Sequence, residues 1–184
     1  SEQVADWLQV SFWSGNDEKV IQIWQKYHNN IDIPARGIAA TAQSLRNKKE
    51  WQPALSLWKK ARDLAPENND YRIGYIKTLA DARMDKIALQ EARRLVMEKP
   101  SPAHFLTLSY VYQLQGKNWD RLLTNTSILQ RAPEDEALQS ELIHSLTANR
   151  VNTPALRLSQ RMTLPPTQRR RLELDAAAEM VRLA

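Results

Sequence analysis

Proline recurs at 66, 100, 133 and 166, tryptophan answers tryptophan at 24 and 58, and alanine answers alanine at 54 and 88, so the chain repeats itself every 33 or 34 residues. A period of that length, in a chain with only four glycines and abundant Ala, Leu, Gln, Glu, Lys and Arg, predicts an all-α solenoid of stacked helix-turn-helix repeats with no sheet. In such an array the core is a seam shared between neighbours. The fold's product is a long curved surface, which points to binding rather than catalysis.

The second repeat sets the register. With Pro66 as repeat position 32, a first helix over 35–47 carries Ile38, Ala42 and Leu45 at positions 4, 8 and 11. A second over 51–64 carries Trp51, Ala54, Trp58 and Ala61 at 17, 20, 24 and 27. Large and small residues in this order are the packing pattern of tetratricopeptide repeats (TPR). Small residues at 8 and 20 let paired helices approach while the larger ones interdigitate around them.

The other repeats follow in order. Repeat one (1–34), with helices over 2–14 and 17–29, retains Leu8, Gly15, Val20, Trp24 and Tyr27. Repeat three (69–101; helices 70–82 and 85–98) keeps Tyr75, Leu79, Ala88 and Leu95, with Ile76 where a small residue is expected. Repeat four (102–134; helices 102–115 and 119–131) keeps Leu108, Ser109, Tyr112 and Gly116, but its second helix fits only after a one-residue adjustment around Trp119. Repeat five (135–166; helices 135–148 and 154–162) rests on Leu138, Leu142, Leu158 and the proline spacing, and a terminal helix runs over 167–184. The expectation is one TPR superhelical domain over 1–184 with about five repeats. Ser101-Pro102 and Thr153-Pro154 each pair a capping hydroxyl with a proline at the first helical position, and Pro66 to Asp70 forms a turn into a capped start.

The net charge of +5 is spread out, with 9 basic and 7 acidic residues in 1–66, 10 and 7 in 67–133, and 7 and 7 in 134–184. No segment is a polycation, and the run Arg169 to Arg171 reads as a solvated helix face, so nucleic acid is not an expected partner. No apolar stretch has the length of a membrane span. The start without Met and the stop inside an apparent helix suggest a piece of a larger protein.

No catalytic grouping emerges. His28, His104 and His144 are far apart and belong to no metal-ligand or nucleophile-base motif, and the glycines are isolated rather than gathered in a phosphate loop. Asp17-Glu18 and Asp135-Glu136 sit at helix starts, where they complement the helix dipole. No enzyme activity, cofactor or metal is expected. Of the six tryptophans, Trp24, Trp51, Trp58 and Trp119 are expected in the core, while Trp7 and Trp13 are open to exposure on the first repeat.

The concave wall of a TPR array is built from first helices near repeat positions 2, 5, 9, 12 and 13. That pattern selects Gln9, Phe12, Gln43, Arg46, Asn47, Asp70, Lys77, Asp81, Tyr110 and Gln113 as candidate lining. The wall is polar and amide-rich with a few aromatics. It suits a peptide backbone or a sugar polymer equally.

Several stretches are more specific than the repeat. Ala5-Asp6-Trp7-Leu8-Gln9, Pro34-Ala35-Arg36-Gly37, Trp51-Gln52, Leu57-Trp58, Lys60-Ala61, Asp70-Tyr71 and Thr78-Leu79-Ala80-Asp81-Ala82 resemble the N-terminal periplasmic part of the outer-membrane porins that export poly-β-1,6-N-acetylglucosamine (the PgaA/HmsH family). The likeness covers residues 4–82, thins to the repeat skeleton, and returns in Ala178-Glu179-Met180-Val181-Arg182-Leu183. It implies a periplasmic TPR module of a Gram-negative outer-membrane protein, itself not membrane-inserted, ahead of a β-barrel. The implied partners are the partly deacetylated polymer and a periplasmic deacetylase lipoprotein, with export feeding a biofilm matrix. Protonated glucosamine amines would suit the carboxylates of Asp70 and Asp81 and the face of Tyr110. The competing expectation is a general TPR protein-interaction adaptor with no polysaccharide contact.

Overall fold

The structure is a computed structural model that describes residues 1–130, 132, 134–160 and 166–183. Among them there are eleven α-helices and no strand. In order these are α1 (Glu2–Trp13), α2 (Asp17–Tyr27), α3 (Ala35–Asn47), α4 (Trp51–Leu64), α5 (Asn69–Asp81), α6 (Asp85–Glu98), α7 (Pro102–Leu114), α8 (Asn118–Leu129), α9 (Glu136–Ala148), α10 (Asn152–Ser159) and α11 (Pro166–Leu183). Each lies within a few residues of its expected range. The chain divides into two compact units, residues 1–91 and 92–184, with the boundary inside α6.

The turns inside the repeats share one chemistry. Gly15, Lys49, Arg83, Gly116 and Arg150 all have φ near +60 to +73°, and they follow one another at intervals of 34, 34, 33 and 34 residues. Each closes the preceding first helix with the same two hydrogen bonds, as in Lys49 N–H to Arg46 O and Glu50 N–H to Leu45 O, both 2.9 Å. This is the Schellman closure, which satisfies carbonyls the helix end would otherwise leave open. Counted from these residues, Val20, Ala54, Ala88, Arg121 and Ala155 are equivalent, and all five are buried. The fourth repeat therefore needs no adjustment at Trp119. The missing residue lies in the loop after α6, which has three residues where the loop after α4 has four.

In the first unit α3 packs against α1, α2 and α4, and α4 against α5. Leu8, Val20, Ile38, Ala42, Trp58 and Ala61 share one core cluster, as the repeat register requires. Two glycines permit its closest approaches. A Cβ on Gly37 would stand 2.8 Å from Ile33 and 3.0 Å from the Ala5 backbone, and one on Gly74 would stand 2.5 Å from the Trp58 indole. In the second unit α8 packs on α7 and α9, and α10 on α9 and α11. Ile143, Ala155 and Leu172 form a core cluster there.

Two local expectations are corrected. Ser101 does cap α7, accepting from His104 N–H at 3.3 Å with Pro102 at the first position, but α10 begins at Asn152 behind Val151. Thr153-Pro154 thus lies within the first turn and does not cap it. Trp119 is 64% exposed rather than core, because it stands third after the turn residue Gly116, where the second repeat has the exposed Gln52, and so lies one position past the half-buried Trp51.

Candidate functional site

The first unit carries a groove of about 530 Å³ between α1, α3 and α5. Gln9, Phe12 and Trp13 enter from α1, Arg36, Ala39, Ala40, Gln43 and Asn47 from α3, and Asp70 and Tyr71 from α5, while Trp58 reaches it from α4. Ala39 and Ala40 leave room for a floor, and the Gly37–Ala5 approach holds α1 and α3 close enough to make two walls. Trp13 stands 72% exposed at one side. At the other, the Tyr71 ring lies 6.4 Å from the Trp58 ring, whose buried Nε1–H has no hydrogen-bond partner among the described residues.

Polar side chains on the same face are held by one another. Asp17 accepts from Asn47 Nδ2 at 3.1 Å, Asn47 Oδ1 accepts from Gln43 Nε2 at 3.0 Å, and Arg46 Nε donates to Asp81 Oδ2 at 2.5 Å. Arg46 and Asp81 are both mostly buried, with side chains 16% and 17% exposed. Burial, reinforced by Arg46 and opposed by Asp81, lowers the Lys77 ammonium below the ordinary lysine range. Arg36 donates to Asp6 at 2.7 Å and also pairs with Glu2; these hydrogen bonds raise its already high pKa. Of the charged side chains, Arg36 and Asp70 line the groove itself.

The residues read from the sequence are thereby sorted. Gln43, Asn47 and Asp70 line the groove, together with Gln9 and Phe12. Arg46, Lys77 and Asp81 lie deeper along the same helices, where Asp81 already holds a guanidinium. Tyr110, half-buried, and Gln113, exposed, belong to α7 of the second unit. Spacing does not select Trp13, Arg36 or Tyr71. The consecutive small residues Ala39-Ala40 are the available signal for the floor, and Trp58, rightly expected in the core, also shows an edge to the groove.

Among the described residues no group of three or more His, Asp or Glu is placed to hold a metal ion. His28 Nδ1 is engaged with Trp24 O at 2.8 Å, and the two rings stack at 5.1 Å; His104 Nδ1 is engaged with Lys99 O. These histidines serve helix ends.

No protein-family model matches the chain. Two curated proteins do, the poly-beta-1,6-N-acetyl-D-glucosamine export proteins of Escherichia coli K12 and O157:H7, each 37% identical over all 184 residues. The chain resembles a polysaccharide export protein from end to end. The chain spans 22% of the length of these relatives. Among solved structures, a tetratricopeptide repeat protein from Parabacteroides merdae superposes with a TM-score of 0.71 at 11% identity, covering 96% of this chain and 71% of that one. MamA from Desulfovibrio magneticus RS-1 gives 0.66 at 15% identity, covering 89% and 97%. At such identities the likeness is one of fold. The fold is that of TPR solenoids.

Proposed function

We propose that this chain is a non-catalytic periplasmic TPR scaffold of a poly-N-acetylglucosamine exporter, which holds the partly deacetylated polymer, its deacetylase, or both, and guides polymer toward an outer-membrane barrel. The observation that carries the reading is the groove of the first unit, an aromatic and amide-lined channel with one carboxylate, Asp70, and one guanidinium, Arg36, the latter already paired with Asp6 and Glu2, in a chain similar over its full length to an export protein. A hexosamine ring offers a face of C–H bonds to Phe12, Trp13 and Tyr71, and a protonated amine finds a carboxylate in Asp70. Because Asp81 is committed to Arg46, Asp70 is the better candidate for the polymer amine. Contacts of this kind are individually worth about 0.5–1 kcal/mol when partly exposed, so grip comes from repetition along a polymer that must keep moving. No helix among the described residues is long and apolar enough to cross a membrane.

The test is a titration with defined acetylated and deacetylated glucosamine oligomers, with purified deacetylase as a parallel ligand. Asp70→Asn should weaken binding of deacetylated oligomers more than acetylated ones, and added salt should narrow that difference. Trp13→Ala should weaken both. If both variants bind sugar as before while deacetylase binding is lost, the groove is a protein-docking surface and the adaptor reading stands instead.

A further inference from the structure

α1 and α2 pack against α3 on one side, and between them they carry a second cleft of about 520 Å³, separate from the groove. Its walls are Trp7 and Val10 from α1 and Ile23 and Tyr27 from α2. Trp7 is 46% and Val10 60% exposed, and the Trp7 and Tyr27 rings tilt toward one another at 6.3 Å. The volume admits the few aliphatic side chains that one helix face presents, and a helix laid across a helix pair is how TPR neighbours stack.

The rim says what sort of helix fits. Lys19 and Lys26 line the cleft from α2, seven residues apart and therefore about 10 Å apart along one face of that helix. Both are exposed, and neither ammonium has an ion-pair partner among the described residues. The rim's carboxylate, Asp6, is drawn to Arg36 at 2.7 Å. The Lys26 ammonium lies 5.2 Å over the Tyr27 ring, an exposed contact that leaves its charge open to a carboxylate, so the apolar floor is edged by two cations that no acidic side chain among the described residues neutralises. The exposed Leu174 on α11 of a second copy is a poor occupant, since it lies one turn from Arg170 and Arg171.

We infer that this cleft docks an amphipathic helix of a partner protein whose apolar anchors enter between Trp7 and Ile23 and whose flanking carboxylates, two turns apart, meet Lys19 and Lys26. The site is independent of sugar binding in the groove.

The probe is a pair of fluorescein-labelled synthetic amphipathic helices of about five turns with identical Leu faces, one flanked by Glu and the other by Lys. Measured by anisotropy at low salt, the Glu peptide should bind roughly tenfold more tightly than its Lys twin, with the gap closing as salt is raised. The Lys19→Glu/Lys26→Glu double variant, altered only at exposed positions, should reverse the preference. Trp7→Ala should weaken the Glu peptide several-fold, and the groove variant Trp13→Ala should leave it unchanged. Equal affinity for the two peptides, no binding of either, or a Glu preference that survives the double lysine variant would each overturn the proposal. Loss of sugar binding with peptide binding intact would bear on the polymer reading alone.

Discussion

The two units solve the same packing problem with opposite chemistry. In the first, Ala42, Ala54, Trp58 and Gly74 meet between α3, α4 and α5; in the second, the residues 67 positions later are Ser109, Arg121, Asn125 and Glu141. Where the Trp58 indole covers Gly74, the second unit places a carboxylate and three donors. Glu141 Oε1 accepts from Ser109 Oγ and Arg121 Nε at 2.6 Å each, and from Asn125 Nδ2 at 3.3 Å. The apolar site depends on shape, because glycine is what lets the ring in. The ionic site depends on satisfaction, since a buried charge is tolerated only with its partners. One backbone arrangement therefore accepts either filling, provided that all four residues change together.

The largest expected effect comes from breaking the ionic set. Glu141→Ala leaves the Arg121 guanidinium, 6% exposed, without its carboxylate, and should cost about 3–5 kcal/mol in urea denaturation. Installing the first unit's residues at all four positions should cost much less than that single change, because it removes every buried charge at once. If Glu141→Ala is neutral, the two sites are not equivalent in holding their units together.

The same carboxylate gives the comparison a pH dependence. Burial raises the Glu141 pKa, but hydrogen bonds from Arg121 and Ser109, with the Arg121 charge and Asn125 adding to them, outweigh it and leave the group below the ordinary glutamate range. A depressed folded pKa means the contribution is fully present above the unfolded value, near 4.3, and is lost as pH falls through the folded one. The stability gap between wild type and Glu141→Gln should therefore be constant near neutrality and shrink below about pH 4. No comparable acid loss is expected from the Trp58–Gly74 site, which carries no titrating group.

A smaller loss is expected from overfilling the apolar site. Gly74→Ala places a methyl where the Trp58 ring stands, for an overpacking cost of about 1–3 kcal/mol. The roughly 1 kcal/mol by which Ala exceeds Gly as a helix former offsets only part of it. Ala54→Leu, at a position with no exposed surface, should cost a similar amount. Thermal unfolding of both variants beside Glu141→Ala ranks the sites directly.

That contrast also explains what is readable in the sequence. The first unit is legible because Ala54, Trp58 and Ala61 are the sizes a TPR seam demands, and all three are buried. The second helix of the fourth repeat fits the register poorly in the sequence because Arg121 and Asn125 are polar in positions where packing residues are expected, and their partner Glu141 lies 20 and 16 residues away on another helix. Spacing shows which positions face inward, but it does not show that three donors converge on one oxygen. In the groove, spacing finds the polar residues at first-helix positions and passes over Trp13 and Tyr71, because exposure of a large ring depends on what packs beside it. Pairing hides Asp81 in the same way: a carboxylate reads as available until a guanidinium is found against it.

The smallest expected effect concerns the feature both units share. Gly15 and Gly116 occupy the left-handed turn position in the first and fourth repeats, but Lys49, Arg83 and Arg150 occupy it in the others. A side chain there costs about 1–2 kcal/mol through the clash of Cβ with the following carbonyl, partly returned because glycine loses more freedom on folding. Lys49→Gly should therefore stabilise by about 0.5–1 kcal/mol, although Lys49 belongs to the well-formed second repeat. Gly15→Ala and Gly116→Ala should destabilise by about 1 kcal/mol each, and nothing lies within 4 Å of the added carbon at either, so crowding cannot be the cause. Equal shifts from the two glycine variants, one in each unit, would show that the turn acts independently of the seam, whether that seam is closed by an indole or by an ion pair. A stabilising Gly116→Ala, measured by urea denaturation, would instead mean that the turns have separate conformational demands despite their common spacing.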